Sequence, residues 1–197
     1  PSISEDLLQR SVEFARRYTD ISQEEGDIIF HARRSLLFGL ERHWVKRHNE
    51  HFDVTMGCYD GAEVCELVGA FALAMIADVF NGRDVGLYRD DGLAVFRNAS
   101  GHEADRIRKE MTKIFQNLGL KITIQTNLKR VDFLDVTLDL TTGKYCPYRK
   151  PNDKPMYINC QSNHPPTIIQ NLPASISRRL TDISNDEDVF IDATPIY

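Results

Sequence analysis

The spacing of apolar and polar positions predicts a chain in which amphipathic helices alternate with short strands. Apolar residues recur at helical intervals in several windows, and the longest window is apolar on almost every face. Ser22 and Glu25 have the spacing of a capping box, which favours a helix that begins at the serine. The predicted helices cover residues 2–18, 22–38, 60–80, 100–118, 167–171 and 174–183.

Runs rich in β-branched and aromatic residues predict the strands. Single strands are expected at residues 52–55, 120–124 and 156–159, and hairpins over residues 85–96 and 131–148. The first hairpin is predicted to bend at Asp90-Asp91-Gly92, because Asp-Gly between apolar runs favours a tight turn. The order of elements is typical of an α+β fold whose antiparallel sheet is covered by helices on one face.

Composition indicates a globular chain with one core, or one domain and a small appendage. It has 197 residues, of which 42% are hydrophobic and 27% charged, and both fractions are ordinary for such proteins. No window approaches the ~20 apolar residues of a membrane span. The first ten residues are polar and acidic, unlike a signal peptide. We therefore expect an intracellular protein, nuclear or cytoplasmic, with four free cysteines.

The charge distribution leaves two interpretations open. The net charge of −5 counts against a nucleic-acid-binding surface, since such domains usually carry a basic footprint. Basic residues are nevertheless concentrated in residues 33–47 and 144–154, whereas acidic residues dominate the segment after Thr181. These basic stretches either line one face of an acidic molecule or form two ordinary solvated surfaces.

The Asp90-Asp91 pair is the strongest candidate for chemistry. A hairpin would hold both carboxylates at its tip, and Mg²⁺ prefers oxygen ligands that it shares with substrate phosphates. Two such ions can stabilise the attacking and the leaving oxygens of a phosphoryl transfer. Asp-Gly turns without any function are common, however, so the dipeptide alone favours plain turn chemistry.

Five landmarks occur in the order found in reverse transcriptases, which the sequence resembles over about residues 1–183. The Tyr-Arg-Asp-Asp tetrapeptide is the most specific of them. Residues 148–151 and 162–165 are in addition similar to segments of Penelope-like retroelements. The landmarks are Pro1-Ser2-Ile3, Thr55-Met56-Gly57, Tyr88-Arg89-Asp90-Asp91, Leu118-Gly119-Leu120 with Lys129, and Phe133-Leu134-Asp135-Val136.

The resemblance implies the fold and the activity. The expected fold is a polymerase palm-type antiparallel sheet with helices on one face, lacking its first strand, plus a small hairpin and helical thumb base. Residues 1–130 would form the truncated palm, 131–160 a primer-grip-like hairpin and the following strand, 161–184 the start of the thumb, and 185–197 an acidic extended tail. The implied activity is RNA-directed DNA polymerisation on an RNA or DNA template–primer with dNTPs. A membrane is not among the implied partners.

The resemblance also implies the roles of individual residues. Asp90 and Asp91 would bind two Mg²⁺ ions, with Asp90 bridging them, and Lys129 would act on the leaving pyrophosphate. Gly57 would let the backbone approach the nucleotide, and Tyr88 and Arg89 would support the primer or nucleotide site. The remaining nucleic-acid contacts would come from Phe133, Leu134, Arg149 and Lys150.

The sequence departs from the family pattern in two places. Relatives usually have glutamine before the loop glycine, where this chain has Met56, and the helix here opens with Tyr59-Asp60. The family's first catalytic aspartate would lie a few residues before Pro1. We therefore expect the parent protein to be a polymerase and these 197 residues alone to be inactive. The alternatives are a domesticated, non-catalytic nucleic-acid-binding remnant, and a metal-dependent nuclease or nucleotide cyclase.

Overall fold

The computed structural model describes residues 3–34, 37–40, 42–44, 52–54, 57–81, 84–97, 99–150, 157–159 and 161–197. The chain divides into two compact units, Pro1–Asn127 and Leu128–Tyr197, called here the first and second units. Of the sequence landmarks, Pro1, Ser2, Thr55 and Met56 lie outside the described residues. None of the helices in the described ranges has the length and apolar character needed to cross a membrane.

The described elements are helices and short antiparallel strands. The first unit contains α1 (Glu5–Ala15), α2 (Gln23–Ala32), β1 (Leu37–Phe38), β2 (His43–Trp44), α3 (Gly61–Phe80), β3 (Val85–Tyr88), β4 (Asp91–Ala94) and α4 (Gly101–Asn117). The second unit contains β5 (Arg130–Phe133), β6 (Val136–Asp139), β7 (Lys144–Pro147), α5 (Pro166–Asp182), α6 (Glu187–Ala193) and a 3₁₀ turn, Thr194–Ile196. The predicted α+β class is confirmed.

The core of the first unit forms where α1 and α4 pack against α3. Buried positions on α3 recur every three or four residues, which places them on one side of the helix. Strand β3 also contacts α3, so the β3–β4 hairpin is anchored on this core. The buried apolar residues are Leu7, Leu8, Val12, Val64, Val68, Ala72, Ile76, Met111, Ile114, Phe115 and Leu118.

Local signals set the helix starts. The predicted capping box is confirmed at α2, where Ser22 accepts from the Glu25 amide and the Glu25 carboxylate accepts from the Ser22 amide. The Ser22 interactions lower the pKa of Glu25, the backbone hydrogen bond most of all. Helix α2 ends at Ala32 rather than at residue 38, because Leu37–Phe38 pair with His43–Trp44 as a short ladder.

The strands lie in separate small sheets rather than in one. Among the described residues, β1–β2 and β3–β4 are two-stranded ladders, and β5–β6–β7 is a three-stranded antiparallel meander. The predicted strand at residues 52–55 is reduced to a single bridge between Arg34 and Phe52. No strand occupies residues 157–159.

The predicted strand at residues 120–124 is wrong in an informative way. Its side chains alternate between half-buried and exposed, and Leu120, Ile122 and Ile124 pack against the core. The alternation that predicts a strand is therefore present. No neighbouring described strand pairs with it, so the segment is extended chain without a ladder.

The second unit corrects two predictions about its helices. Residues 166–182 form one helix instead of two, with Pro173 inside it. A continuous helix places Leu172, Ile176 and Leu180 on one face, which compensates for the hydrogen bond that proline cannot donate. The acidic tail is not extended, because α6 begins there with the Asp186 carboxylate accepting from the Val189 amide.

Candidate functional site

The β3–β4 hairpin carries the Tyr-Arg-Asp-Asp tetrapeptide at its tip. Tyr88 pairs with Asp91, so the loop contains only Arg89 and Asp90. The predicted hairpin is confirmed, but the bend lies one residue earlier than the Asp90-Asp91-Gly92 turn. Arg89 has a φ of +54° at the first loop position, where two-residue hairpin loops need positive φ and normally use glycine or asparagine.

Gly92 serves packing rather than the turn. It lies in β4 opposite Leu87, and a Cβ built on it would come within 2.9 Å of Leu87 Cδ2. The space of the missing side chain is therefore filled by the leucine, which packs against the core of the first unit. This contact explains the glycine after the two acids without any turn requirement.

Asp90 and Asp91 are both exposed. Within the described part of the chain, neither carboxylate forms a hydrogen bond or an ion pair. Two adjacent oxygen donors fit Mg²⁺ in kind, because this ion is usually bound by one or two carboxylates together with substrate phosphates and water. No group of three or more His, Cys, Asp or Glu side chains that could hold a metal occurs among the described residues.

Tyr88 and Arg89 form one unit at the hairpin tip. The Arg89 guanidinium carbon lies 5.5 Å from the centroid of the Tyr88 ring, within the range of a cation–π contact. Tyr88 is 51% exposed, so it is not a core aromatic residue. The tip therefore presents an aromatic ring and a guanidinium next to two carboxylates.

Gly57 lies ahead of α3 with a φ of +88°, and a Cβ built on it would meet nothing within 4 Å. Its conformation, rather than crowding, is what requires glycine. Asp60 follows at the N-cap of α3 and makes no capping hydrogen bond. Its carboxylate instead pairs with Arg33, which is 1% exposed. Arg33 is therefore not part of a solvated basic surface, contrary to the interpretation of residues 33–47.

The β5–β6 hairpin occupies the predicted primer-grip position. Phe133 pairs with Val136, so Leu134 and Asp135 form a two-residue loop, and Leu134 has a φ of +54°. Leu134 is 43% exposed and Phe133 is half-buried. Phe133 is therefore only partly shielded from solvent, and the apolar side chain of Leu134 is presented to it.

The other residues of the second unit that are predicted to contact substrate or nucleic acid are basic, and each is at least partly exposed. Lys129 and Lys150 are exposed, and Arg149 is half-buried with its guanidinium carbon 5.5 Å from the Tyr197 ring centroid. Tyr88, Arg89, Asp90 and Asp91 are brought together on one hairpin of the first unit. Gly57 belongs to the same unit, whereas Lys129, Phe133, Leu134, Arg149 and Lys150 belong to the second.

Two interactions had no signal in the sequence. Asp135, for which the pattern indicated no role, forms an ion pair of 2.6 Å with Arg179, and this hydrogen bond raises the pKa of the arginine. His164 Nδ1 lies 2.6 Å from the Ser162 hydroxyl. The first pair joins residues 44 positions apart, so only the fold reveals it.

Comparison with known proteins identifies no relative for this chain. No family model, curated protein or solved structure matches it.

Proposed function

We propose that this chain carries the nucleotidyl-transfer hairpin of a Penelope-like reverse transcriptase. The observation that carries the proposal is the β3–β4 hairpin, which places Asp90 in its two-residue loop and Asp91 at the start of β4, with both carboxylates exposed and without a partner among the described residues. Carboxylates without a protein partner remain available to a cation. In this proposal the first unit is the palm.

Asp90 and Asp91 would hold magnesium in the proposed activity. When bound, the metal supplies charge stabilisation to the oxygens of the transferred phosphoryl group. Tyr88 and Arg89 would contact the primer end or the nucleotide, with Arg89 suited to a phosphate because its fork of donors matches phosphate oxygens. Gly57 would let the backbone approach the nucleotide, since no side chain intervenes there.

The second unit would bind the template–primer. Leu134 offers an exposed apolar tip and Phe133 supports it from the strand. Arg149 and Lys150 would meet backbone phosphates, which makes binding weaken steeply with salt. Lys129 would neutralise or protonate the leaving pyrophosphate. We place this activity in the nucleus or cytoplasm, where templates and dNTPs occur.

A magnesium-titrated primer-extension assay tests the proposal. The assay uses the protein at its natural length, because the family pattern includes a further aspartate ahead of the Pro1-Ser2-Ile3 segment. Asp90→Asn is expected to lower extension by at least about 100-fold, because it removes one of the charges that hold the metal. Asp84→Asn, at the base of the same hairpin, is the matched control and should extend normally.

One result would contradict the proposal, and a second would contradict only the expected inactivity of the 197 residues alone. Extension by the Asp90→Asn protein at the unsubstituted rate would remove the metal role. Robust extension by the 197 residues alone would contradict the expectation that a further carboxylate is needed, since two carboxylates leave a two-metal centre short of fixed ligands.

The second candidate is a non-catalytic nucleic-acid-binding remnant. It is favoured by the start of α3, where Asp60 pairs with buried Arg33 instead of capping the helix, and by the net charge of −5. A remnant would bind template–primer with the same affinity in the Asp90→Asn variant and would extend no primer in either form. Parallel binding and extension assays therefore separate the two candidates.

A further inference from the structure

Arg89 is the charged neighbour of the two acids at the tip of the β3–β4 hairpin, and it pairs with neither of them. It directly precedes Asp90 in the chain and is exposed. In the described part of the chain, no ion pair or hydrogen bond joins its guanidinium to Asp90 or Asp91. Opposite charges this close attract each other, so another contact must hold the arginine where it lies.

That contact is made by the aromatic ring of Tyr88. The Arg89 guanidinium carbon lies 5.5 Å from the ring centroid, and half of Tyr88 remains exposed to water. An exposed cation–π contact and an exposed ion pair stabilise a protein by similar amounts. The ring is therefore able to hold the arginine against the attraction of the neighbouring carboxylates.

The β5–β6 loop shows what an arginine within reach does to such an aspartate. Asp135 holds the same loop position as Asp90, and its carboxylate is ion-paired with Arg179 at 2.6 Å although both side chains are more than half exposed. Arg89 is adjacent to Asp90 in sequence, but the corresponding pair is absent from the described residues. The turn does not require an arginine either, because glycine or asparagine is usual where φ is +54°. The ring of Tyr88 is thus the described contact that accounts for the position of the guanidinium.

We infer that Tyr88 is a positioning residue, whose ring holds the Arg89 guanidinium away from the two acids and leaves both carboxylates open to a divalent cation. Mg²⁺ binds through carboxylate oxygens, so a guanidinium on those oxygens would compete with the metal and cancel one of the two charges. The inference rests on the proposed function, because it concerns the metal carboxylates of that site. It adds a role in metal affinity to the contact with primer or nucleotide proposed for Tyr88.

Binding of Mn²⁺ to the protein at its natural length, followed by electron paramagnetic resonance, tests the inference without primer extension. Mn²⁺ prefers the same oxygen ligands as Mg²⁺, and Asp90→Asn identifies the part of the binding that belongs to the hairpin. We expect Tyr88→Ala to weaken this binding at least about 2-fold, because the released arginine pairs with the acids. Tyr88→Phe should bind Mn²⁺ as the unsubstituted protein does, because a phenylalanine ring also attracts a cation.

A double-mutant cycle with Arg89→Gln separates positioning from a structural role of the ring. Without the guanidinium, Tyr88→Ala should leave the affinity for Mn²⁺ unchanged, so the ring matters only where the arginine is present. A structural contribution of Tyr88 would weaken binding equally with and without the arginine, and this result would overturn the inference. Tyr18→Ala, in the turn after α1, removes another exposed ring as the matched control and should leave the affinity unchanged.

The outcomes distinguish this inference from the proposed function. Binding of Mn²⁺ to Tyr88→Ala that equals or exceeds binding to the unsubstituted protein, together with normal primer extension, contradicts the inference alone. The expected dependence of the ring's effect on Arg89, without primer extension by the unsubstituted protein, contradicts the proposed function alone. Binding of Mn²⁺ that Asp90→Asn leaves unchanged contradicts both.

Discussion

The β3–β4 and β5–β6 hairpins have the same backbone arrangement, but the loop aspartate is ion-paired in only one of them. In each, four residues pair with four across a two-residue loop whose first residue has a φ of +54° and whose second is aspartate. Asp135 is neutralised by Arg179. Asp90, its counterpart, has no partner among the described residues, and the position after it adds a second acid, Asp91.

The difference shows that only the first hairpin has carboxylates that a cation could bind without displacing a described ion-pair partner. Asp91 corresponds to Val136, so the second hairpin has an apolar residue where the first has a carboxylate. Exposed carboxylates without a partner among the described residues form no ion pair or hydrogen bond there that would stabilise the fold. Their presence therefore favours a role in binding a cation over a role in stabilising the hairpin.

The substitution with the largest expected effect gives the first hairpin the residue of the second. Asp91→Val should lower magnesium-dependent primer extension by the protein at its natural length by at least about 100-fold, because a proposed metal carboxylate is lost. It should also raise the free energy of unfolding by up to about 1 kcal/mol, because valine is favoured in strands and aspartate is not.

Asp91→Asn separates the two effects, since it removes the charge without adding β-branching. It should lose extension to the same degree with little gain in stability. A stable Asp91→Val protein that still extends primers would show that the acids have no metal role.

A smaller effect is expected from breaking the ion pair of the second hairpin. Arg179→Gln should cost about 0.2–1 kcal/mol of unfolding free energy, because both side chains are more than half exposed and water screens the pair. Chemical denaturation measures the change, and a double-mutant cycle with Asp135→Asn isolates the pair. Arg178→Gln, the neighbouring exposed arginine, is the control, and an equal cost there would deny the pair any special contribution.

The smallest expected effect concerns the dependence of stability on pH and the carboxyl group of Asp139 in the second unit. The Thr141 hydroxyl donates to Asp139 and lowers the pKa of this carboxyl below its usual 3.8. A carboxyl with a lowered folded pKa stabilises the protein above its unfolded pKa, and the contribution is lost as the pH falls through the folded value. Thr141→Ala should therefore flatten the dependence of Tm on pH below about pH 4.

Thermal unfolding between about pH 2 and pH 6 measures this slope. Exposed Thr167→Ala should leave it unchanged. An unaltered slope in Thr141→Ala would mean that acid acts on the second unit through other carboxyls.

In the first unit, the sequence predicts which helices and hairpins are present more accurately than it predicts the residues at which they begin and end. Apolar runs on either side of a polar break predict the hairpin at residues 85–96, and the antiparallel pairing of Tyr88 with Asp91 agrees with it. The bend was misplaced because Asp-Gly is a turn signal, whereas Gly92 is needed by the side chain of Leu87 across the ladder. Cross-strand packing of this kind is not encoded in the local pattern.

In the second unit, the local sequence signals are too weak to predict some of the features that the structure contains. Helix α6 has only seven residues, too few for a period to show, although Asp186 has the spacing of an N-cap. No local pattern assigns Asp135 a role, because its partner Arg179 lies in α5, 44 residues along the chain. The candidate carboxylates are visible in the sequence because they are adjacent in it, whereas the side chains that line the cavity between α5 and α6 come from separate segments.

The extended run that follows Gly119 has a consequence for amide hydrogen exchange. Ile122 and Ile124 contribute side chains to the core, yet their backbone N–H groups donate to no acceptor in the described part of the chain. Exchange follows the opening of hydrogen bonds, so these amides should take up deuterium early while those of α4 remain protected. A deuterium map would report this segment as open although its side chains help to hold the first unit together.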